Sequence, residues 1–78
     1  MDLSTALAAS LARRAANGDG RALREAAGLS LREAAAAIGV NAASISRWER
    51  GKSRPRRGLA ADYGSFLEAL LLLEHVGD

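Results

Sequence analysis

Residues 31 to 50 constrain the fold of this chain more than any other segment. The run LREAAAAIGVNAASISRWER predicts two short helices joined by a turn at Gly39, with Ala35 in the middle of the first helix. Two helices that cross steeply over a short turn need a small residue where their backbones approach, and a residue that tolerates positive φ at the bend. They also need apolar anchors beneath them, and the segment supplies Ile38, Val40, Ile45 and Trp48.

The composition favours a small all-α domain. The chain has 78 residues, of which 49% are apolar, yet it contains one Trp, one Tyr and one Phe. The core must therefore be built from Leu, Ala, Ile and Val; alanine is the best helix former, and strand-favouring residues are scarce. Because there are no cysteines, disulfides and thiolate metal sites are excluded. We expect one domain over residues 1–78, near the lower size limit for a single core.

Turn and capping signals place the elements around this segment. A helix over residues 1–17 is expected to end at the turn sequence Asn-Gly-Asp-Gly, and a second helix follows from about Arg21 to Ala27. Ser30 starts the third helix in a capping box with Glu33. The fourth helix runs from the cap Asn41 to Arg50.

The C-terminal helix is predicted over residues 59–75. Pro55 is expected either in the first turn of this helix or in the loop just before it. Apolar residues at spacings of three and four predict its inward face: Leu59, Tyr63, Phe66, Leu67, Leu70 and Leu73. The expected architecture is a compact bundle of five to six helices.

Basic residues are concentrated from the end of the fourth helix onward. Residues 47–57 contain six basic residues and one acidic residue, although the net charge of the whole chain is only +2. Like charges at this density repel one another, and a nucleic-acid phosphate backbone commonly offsets them, because counterion release drives association. A solvated surface is the alternative for an isolated basic run. The adjacent pair of helices favours the phosphate backbone, and thus double-stranded DNA.

Residues 23–55 combine Arg24 in the helix that starts near Arg21, a Gly-Leu-Ser entry, a Gly-Val turn and a Glu-Arg-Gly-Lys exit before proline. This stretch resembles the Cro and lambda-repressor-like (XRE) helix-turn-helix family. The resemblance implies the lambda-repressor-like fold, to which residues 1–17 would add an N-terminal helix. It also implies a buried or half-buried ion pair between Arg24 and Glu49.

Two positions depart from the family pattern. Leu31 stands where many members carry a glutamine that contacts phosphate, so the resemblance does not imply that contact here. Ala34 stands where a leucine is usual, and we expect Trp48 to fill the space that the smaller side chain leaves.

The periodicity of the fourth helix sorts its residues into two faces. Ile45 and Trp48 face the core, so Ala42, Ala43, Ser46, Arg47 and Arg50 are expected to project away from it. Arg47 is the strongest candidate for reading a base, since a guanidinium can bond O6 and N7 of guanine bidentately. The expected base contacts are Ala42, Ala43, Ser44, Ser46 and Arg47, with Ser44 supported by the family resemblance. The expected phosphate contacts, which position rather than specify, are Asn41, Arg50, Lys52, Ser53, Arg54, Arg56 and Arg57.

Catalytic and membrane functions are not expected. His75 is the only histidine, lies near a helix end, and has no serine or carboxylate pattern around it that suggests catalysis. No cofactor, metal or small-molecule ligand is expected. No segment is apolar enough to cross a membrane or to serve as a secretory signal, so we expect a cytoplasmic protein of a bacterial cell.

The expected function is that of a sequence-specific transcriptional regulator. The small size favours a Cro-like phage repressor that blocks polymerase at an operator, and a homodimer is expected if the operator is palindromic. Three alternatives stay open: an antitoxin that represses its own toxin–antitoxin pair, a phage recombination directionality factor, and a protein-interaction module built on the leucine-rich helix.

Overall fold

The computed structural model of the chain describes residues 6–7, 10–11 and 14–76. This part of the chain contains four α-helices and no strand: α1 (Gly20–Ala26), α2 (Leu31–Ile38), α3 (Ala42–Glu49) and α4 (Arg57–Val76). A π-helical turn, Ala15–Asp19, precedes α1. The all-α prediction is confirmed for the described residues. Of the additional helix predicted over residues 1–17, residues 6–7, 10–11 and 14 are helical, and residues 1–5, 8–9 and 12–13 lie outside the described part. That helix and the total of five to six therefore stay predictions.

The chain bends within the segment Ala15–Asp19, just before α1, as the Asn-Gly-Asp-Gly sequence predicts. Asn17 and Gly18 leave the helical region, and Gly18 has a φ of +96°. Gly20, the first residue of α1, is buried. A Cβ atom built on Gly20 would lie 2.8 Å from the Cβ of Ala15 and 2.8 Å from the hydroxyl oxygen of Tyr63. Glycine therefore allows α1 to start closer to α4 than any other residue would permit.

The predicted capping box fixes the start of α2. The Ser30 N–H donates to Glu33 Oε1 at 2.9 Å, and the Glu33 N–H donates to Ser30 Oγ at 3.0 Å. The bond from the Ser30 backbone, together with the contact to its hydroxyl, lowers the pKa of Glu33, because both favour the ionised carboxylate. Two backbone donors that a helix start leaves open are satisfied in this way.

The hydrophobic core lies where the helices meet, and its small residues set their spacing. Ala34 is completely buried, so a small side chain stands where α2 packs against its neighbours. Leu31 is partly buried and packs against the core, which explains why an apolar residue occupies that position. The buried residues of this cluster are Leu11, Ala15, Ala34, Ala35, Ile45, Trp48, Tyr63 and Leu67.

Helix α4 starts two residues earlier than predicted, and Pro55 lies in the loop before it. Most of its predicted inward residues are buried or partly buried against the core: Leu59, Tyr63, Phe66, Leu67 and Leu70. The prediction for Leu73 is wrong, because this side chain is 63% exposed. Leu73 lines a cavity that is also lined by Ala26, the last residue of α1, and by Ala27, which follows it. The methyl groups of these alanines are too short to cover a leucine.

Candidate nucleic-acid interface

The turn between α2 and α3 is held by backbone and side-chain hydrogen bonds. Gly39 ends α2 with a φ of +91°, and its N–H donates to the carbonyl of Ala35 at 2.8 Å. The Val40 N–H donates to the same carbonyl at 3.0 Å. Asn41 then caps α3, since its Oδ1 accepts from the Ser44 N–H at 2.8 Å. The direction in which α3 leaves the turn is therefore set by local interactions.

A buried ion pair fixes the other end of α3. Arg24 on α1 donates from Nε to Glu49 Oε2 at 2.7 Å and from Nη2 to Glu49 Oε1 at 3.1 Å. The third guanidinium nitrogen, Nη1, donates to the carbonyl of Leu29 at 2.9 Å. Hydrogen bonding to Glu49 raises the pKa of Arg24, against the opposing effect of burial. The structure thus brings together the two residues that the family resemblance pairs, in a bidentate geometry that fixes orientation.

The outward face of α3 carries the residues expected to contact bases. Ala43 and Arg47 are exposed, while Ser44 and Ser46 are half-buried. Ala42 differs from expectation, because it is partly buried and packs against the core instead of projecting away from it. The reason is its position three residues before Ile45, which puts both side chains on one face of the helix.

Two arginines of α3 are held in different directions. Arg47 Nη2 donates to Ser44 Oγ at 3.3 Å, toward the start of the helix. Arg50 Nε donates to the carbonyl of Ser46 at 3.3 Å, near the end of the helix. Arg50 is the last residue before Gly51, where a φ of +70° turns the chain. Residues 51–57, which end at the first residue of α4, are called the basic loop.

The basic loop continues the outward face of α3 along the surface. Its polar side chains are all exposed: Lys52, Ser53, Arg54, Arg56 and Arg57. Within residues 14–74, no cation from Arg47 to Arg57 forms an ion pair, whereas Arg14, Arg21 and Arg24 each pair with a carboxylate. The positive charge of this surface is therefore not neutralised by the described part of the protein. An anionic polymer could bind along it.

Tyr63 of α4 packs against Trp48 of α3. The helical spacing predicts that Tyr63 faces inward, but it does not predict this contact. Its ring lies 4.9 Å from the ring of Trp48, with the two planes tilted by 49°. The Tyr63 hydroxyl is buried and has no hydrogen-bond partner among the described residues. Burial, and next the negative charge of Glu49, raise the pKa of Tyr63 to about 12. The helical spacing indicated which way Tyr63 faces, but no sequence signal indicated its partner.

Other kinds of site are not evident in the described residues. No group of histidine and carboxylate side chains there is arranged to hold a metal ion. Within the same residues, no helix combines the length and apolar character that a membrane span requires.

The comparisons with known proteins agree with this geometry. The family model described as helix-turn-helix matches residues 21–67. The match runs from the second residue of α1 through α2, the turn, α3 and the basic loop to the middle of α4. Neither the curated proteins nor the solved structures gave a match.

Proposed function

Because the chain belongs to the XRE-type helix-turn-helix family of DNA-binding regulators, we propose that it reads a specific operator and regulates transcription. In this proposal α3 enters the major groove of double-stranded DNA, and the loop after it lies along the sugar-phosphate backbone. One observation carries the proposal above all others. The outward face of α3 is continuous with a stretch of cations that have no carboxylate partner among residues 14–74.

Base reading is assigned to the exposed face of α3. Arg47 would bond O6 and N7 of a guanine, which contributes about 1–3 kcal/mol of discrimination. Ala43 is small and exposed, so it could touch a thymine methyl group. Ser44 and Ser46 flank Arg47 at half-buried positions. Ala42 is the weakest of the five proposed base contacts, because it packs against the core.

The backbone contacts are assigned to the two ends of α3 and to the basic loop. Asn41 lies at the start of α3, where the N–H groups of the first turn favour a nearby phosphate. The remaining proposed contacts begin at the end of α3 and follow the loop: Arg50, Lys52, Ser53, Arg54, Arg56 and Arg57. Such contacts fix the register of the protein on DNA without reading the sequence.

We further propose that two copies bind a palindromic operator, with α4 at their interface. Leu72 is 61% exposed and Leu73 is 63% exposed. Leu73 lines a cavity of about 180 Å³ between α1 and α4, which shares Leu23 and Glu74 with a second cavity of about 250 Å³. Together they form a groove lined mostly by leucines and alanines, and Arg14 and Asp19 also line the larger cavity. Pairing two such surfaces would remove the exposed leucines from water, and a two-fold axis would match two half-sites about one helical turn apart.

A Cro-like phage repressor is the simplest regulator of this kind, since binding at an operator is sufficient to block polymerase. The protein would then act in the bacterial cytoplasm, where its operator lies. The same groove favours one second candidate, an antitoxin that covers it with a partner protein and represses its own promoter. This second candidate would be supported by a toxin that co-purifies with the protein and that is released by substitutions at Leu72 or Leu73.

Selection from a pool of random duplex DNA tests the proposed function. The wild type should enrich a symmetric motif that contains guanine, and Arg47→Ala should lose the preference at that guanine. Arg21→Ala is the matched control, because Arg21 is exposed, pairs with Glu25 at 3.4 Å and lies outside the proposed interface. If the wild type enriches no sequence at physiological salt, the proposal of a sequence-specific regulator is wrong.

A further inference from the structure

One hydrogen bond joins two side chains on the outward face of α3, from Arg47 Nη2 to Ser44 Oγ at 3.3 Å. We infer that Ser44 is a positioning residue, whose hydroxyl holds the Arg47 guanidinium in place to read guanine and does not itself contact a base. This inference rests on the proposed function and changes one part of it, because Ser44 now contributes to specificity through Arg47 and not as one of the direct base contacts.

Ser44 is suited to hold a flexible neighbour because its own backbone is fixed. Its N–H donates to Asn41 Oδ1 at 2.8 Å and lies 3.1 Å from the Asn41 carbonyl oxygen. Ser44 is also half-buried, whereas Arg47 is exposed. A free arginine side chain samples many rotamers, and ordering it on a base costs conformational entropy. A bond to a fixed hydroxyl removes part of that cost before DNA binds.

The direction of the bond favours base reading. Side chains of a helix lean toward its N-terminus, so residues three apart can meet, as Ser44 and Arg47 do. Recognition helices contact base edges with their N-terminal residues, and the bond draws the guanidinium toward that end. Arg50 instead bonds the Ser46 carbonyl, farther from the start of α3.

The bond leaves Arg47 able to form a bidentate contact. A guanidinium carries several N–H donors in one plane, and the hydroxyl of Ser44 engages only Nη2. The remaining donors can face O6 and N7 of guanine. The Ser44 hydroxyl hydrogen is not used in this bond, since the oxygen is the acceptor, and it can turn toward a phosphate or water.

The test is a double-mutant cycle on the duplex that the wild type selects. Affinity is measured for that duplex and for one with 7-deazaguanine at the contacted guanine, which lacks the N7 acceptor. Ser44→Ala should reduce the discrimination between the two duplexes about threefold to tenfold, the usual range for one hydrogen bond. In the Arg47→Ala background, Ser44→Ala should have no further effect. Ser44→Thr retains the hydroxyl and should restore discrimination, and Ser65→Ala, on the exposed side of α4, is the control.

A second measurement needs no DNA. Relaxation of the Arg47 ¹⁵Nε in the free protein should show a more ordered side chain in the wild type than in Ser44→Ala. Thermal melting of each variant identifies any loss of the fold.

Three results would overturn the inference. Unchanged discrimination in Ser44→Ala would show that the hydroxyl does not orient Arg47. If Ser44→Ala lowers affinity equally in the wild type and in the Arg47→Ala background, Ser44 contacts the DNA directly. Equal order of Arg47 in both free proteins would show that the bond does not restrain it. These results leave the proposed function standing, whereas a wild type that enriches no motif overturns both.

Discussion

Trp48 on α3 rests on Tyr63 of α4, with ring centroids 4.9 Å apart and planes tilted by 49°. Glu49, the next residue of α3, accepts a hydrogen bond from Arg24 of α1. The last turn of the proposed recognition helix is therefore fixed from two sides, by an aromatic contact with α4 and an ion pair with α1. A change in either interaction should alter both the stability of the fold and the placement of α3.

Breaking the ion pair should destabilise the fold strongly. Glu49→Ala leaves the guanidinium of Arg24 buried without its carboxylate, and stranding one buried charge costs about 3–5 kcal/mol. For a domain of this size each kcal/mol lowers Tm by roughly 4–8 °C. Glu25→Ala is the control, because its pair with Arg21 is exposed and should contribute less than about 1 kcal/mol. Equal Tm values for Glu49→Ala and the wild type would contradict this prediction.

The pKa of Tyr63 predicts a loss of stability at alkaline pH. Its pKa is about 12 in the folded protein, against an ordinary value of 10.0. Because the folded-state pKa is the higher one, the stabilisation is complete below pH 10 and decreases as pH rises from about 10 to about 12. The slope should approach 1.4 kcal/mol per pH unit, the equivalent of one proton.

Tyr63→Phe supplies the control for that prediction. The variant should lose the alkaline dependence, and its Tm at neutral pH should equal or exceed that of the wild type, since it removes a buried hydroxyl that no described residue hydrogen-bonds. Tyr63 is the only tyrosine, so tyrosinate absorbance near 295 nm reports its ionisation directly. Ionisation at the ordinary pKa in the folded protein would contradict the prediction.

Gly20 should tolerate no side chain. Gly20→Ala places a methyl group 2.8 Å from both the Ala15 Cβ and the Tyr63 hydroxyl oxygen, and overpacking of this kind costs about 1–3 kcal/mol. Gly58→Ala is the matched control, because no atom of the part of the chain that the structure describes lies within 4 Å of a Cβ on that helical residue. The control should be neutral or more stable by up to about 1 kcal/mol. Chemical denaturation of both variants measures the difference in the free energy of unfolding.

Operator binding should weaken steeply with salt. If Arg50 and the four cations of the basic loop contact phosphates, log affinity should fall against log salt with a slope of roughly −4 to −5. Arg54→Ala should reduce the magnitude of this slope by about 1 and weaken binding to all sequences alike. Arg21→Ala should leave the slope unchanged. A wild-type slope near zero would exclude the proposed backbone contacts.

Assembly should depend on the leucines at the end of α4. Leu72→Ser or Leu73→Ser should shift the protein toward monomer in sedimentation equilibrium with little loss of Tm, because both side chains are largely exposed. Ala61→Ser, on an exposed part of the same helix, should leave assembly unchanged. A wild type that is monomeric at high concentration, and on its operator, would refute the proposed dimer.

The local features at the start of α2 and in the turn after it could be predicted from sequence, because each depends on residues a few positions apart. The Ser30 and Glu33 capping box, the left-handed Gly39 and the Asn41 cap are of this kind. The pair of Arg24 and Glu49 spans two helices, and its prediction came from family resemblance, since neither residue alone indicates a distant partner.

The features that could not be predicted depend on how helices pack against one another. Helical spacing directs Tyr63 inward but does not indicate that Trp48 will meet it. The close approach at Gly20 likewise requires the crossing of α1 and α4. Leu73 fits the inward pattern and is exposed nonetheless, because the pattern assumes that the facing helix is bulky enough to cover it. Ala42 was misassigned although its spacing from Ile45 already indicated a shared face.

The two faces of α3 separate the requirements of folding from those of recognition. Ile45, Trp48 and Glu49 are buried, while Ala43 and Arg47 are exposed and belong to no part of the core. Natural variation or redesign could therefore exchange the outward residues for those of another regulator without remaking the interior. If α3 reads the operator as proposed, such a graft should change which operator is bound while Tm stays near that of the parent.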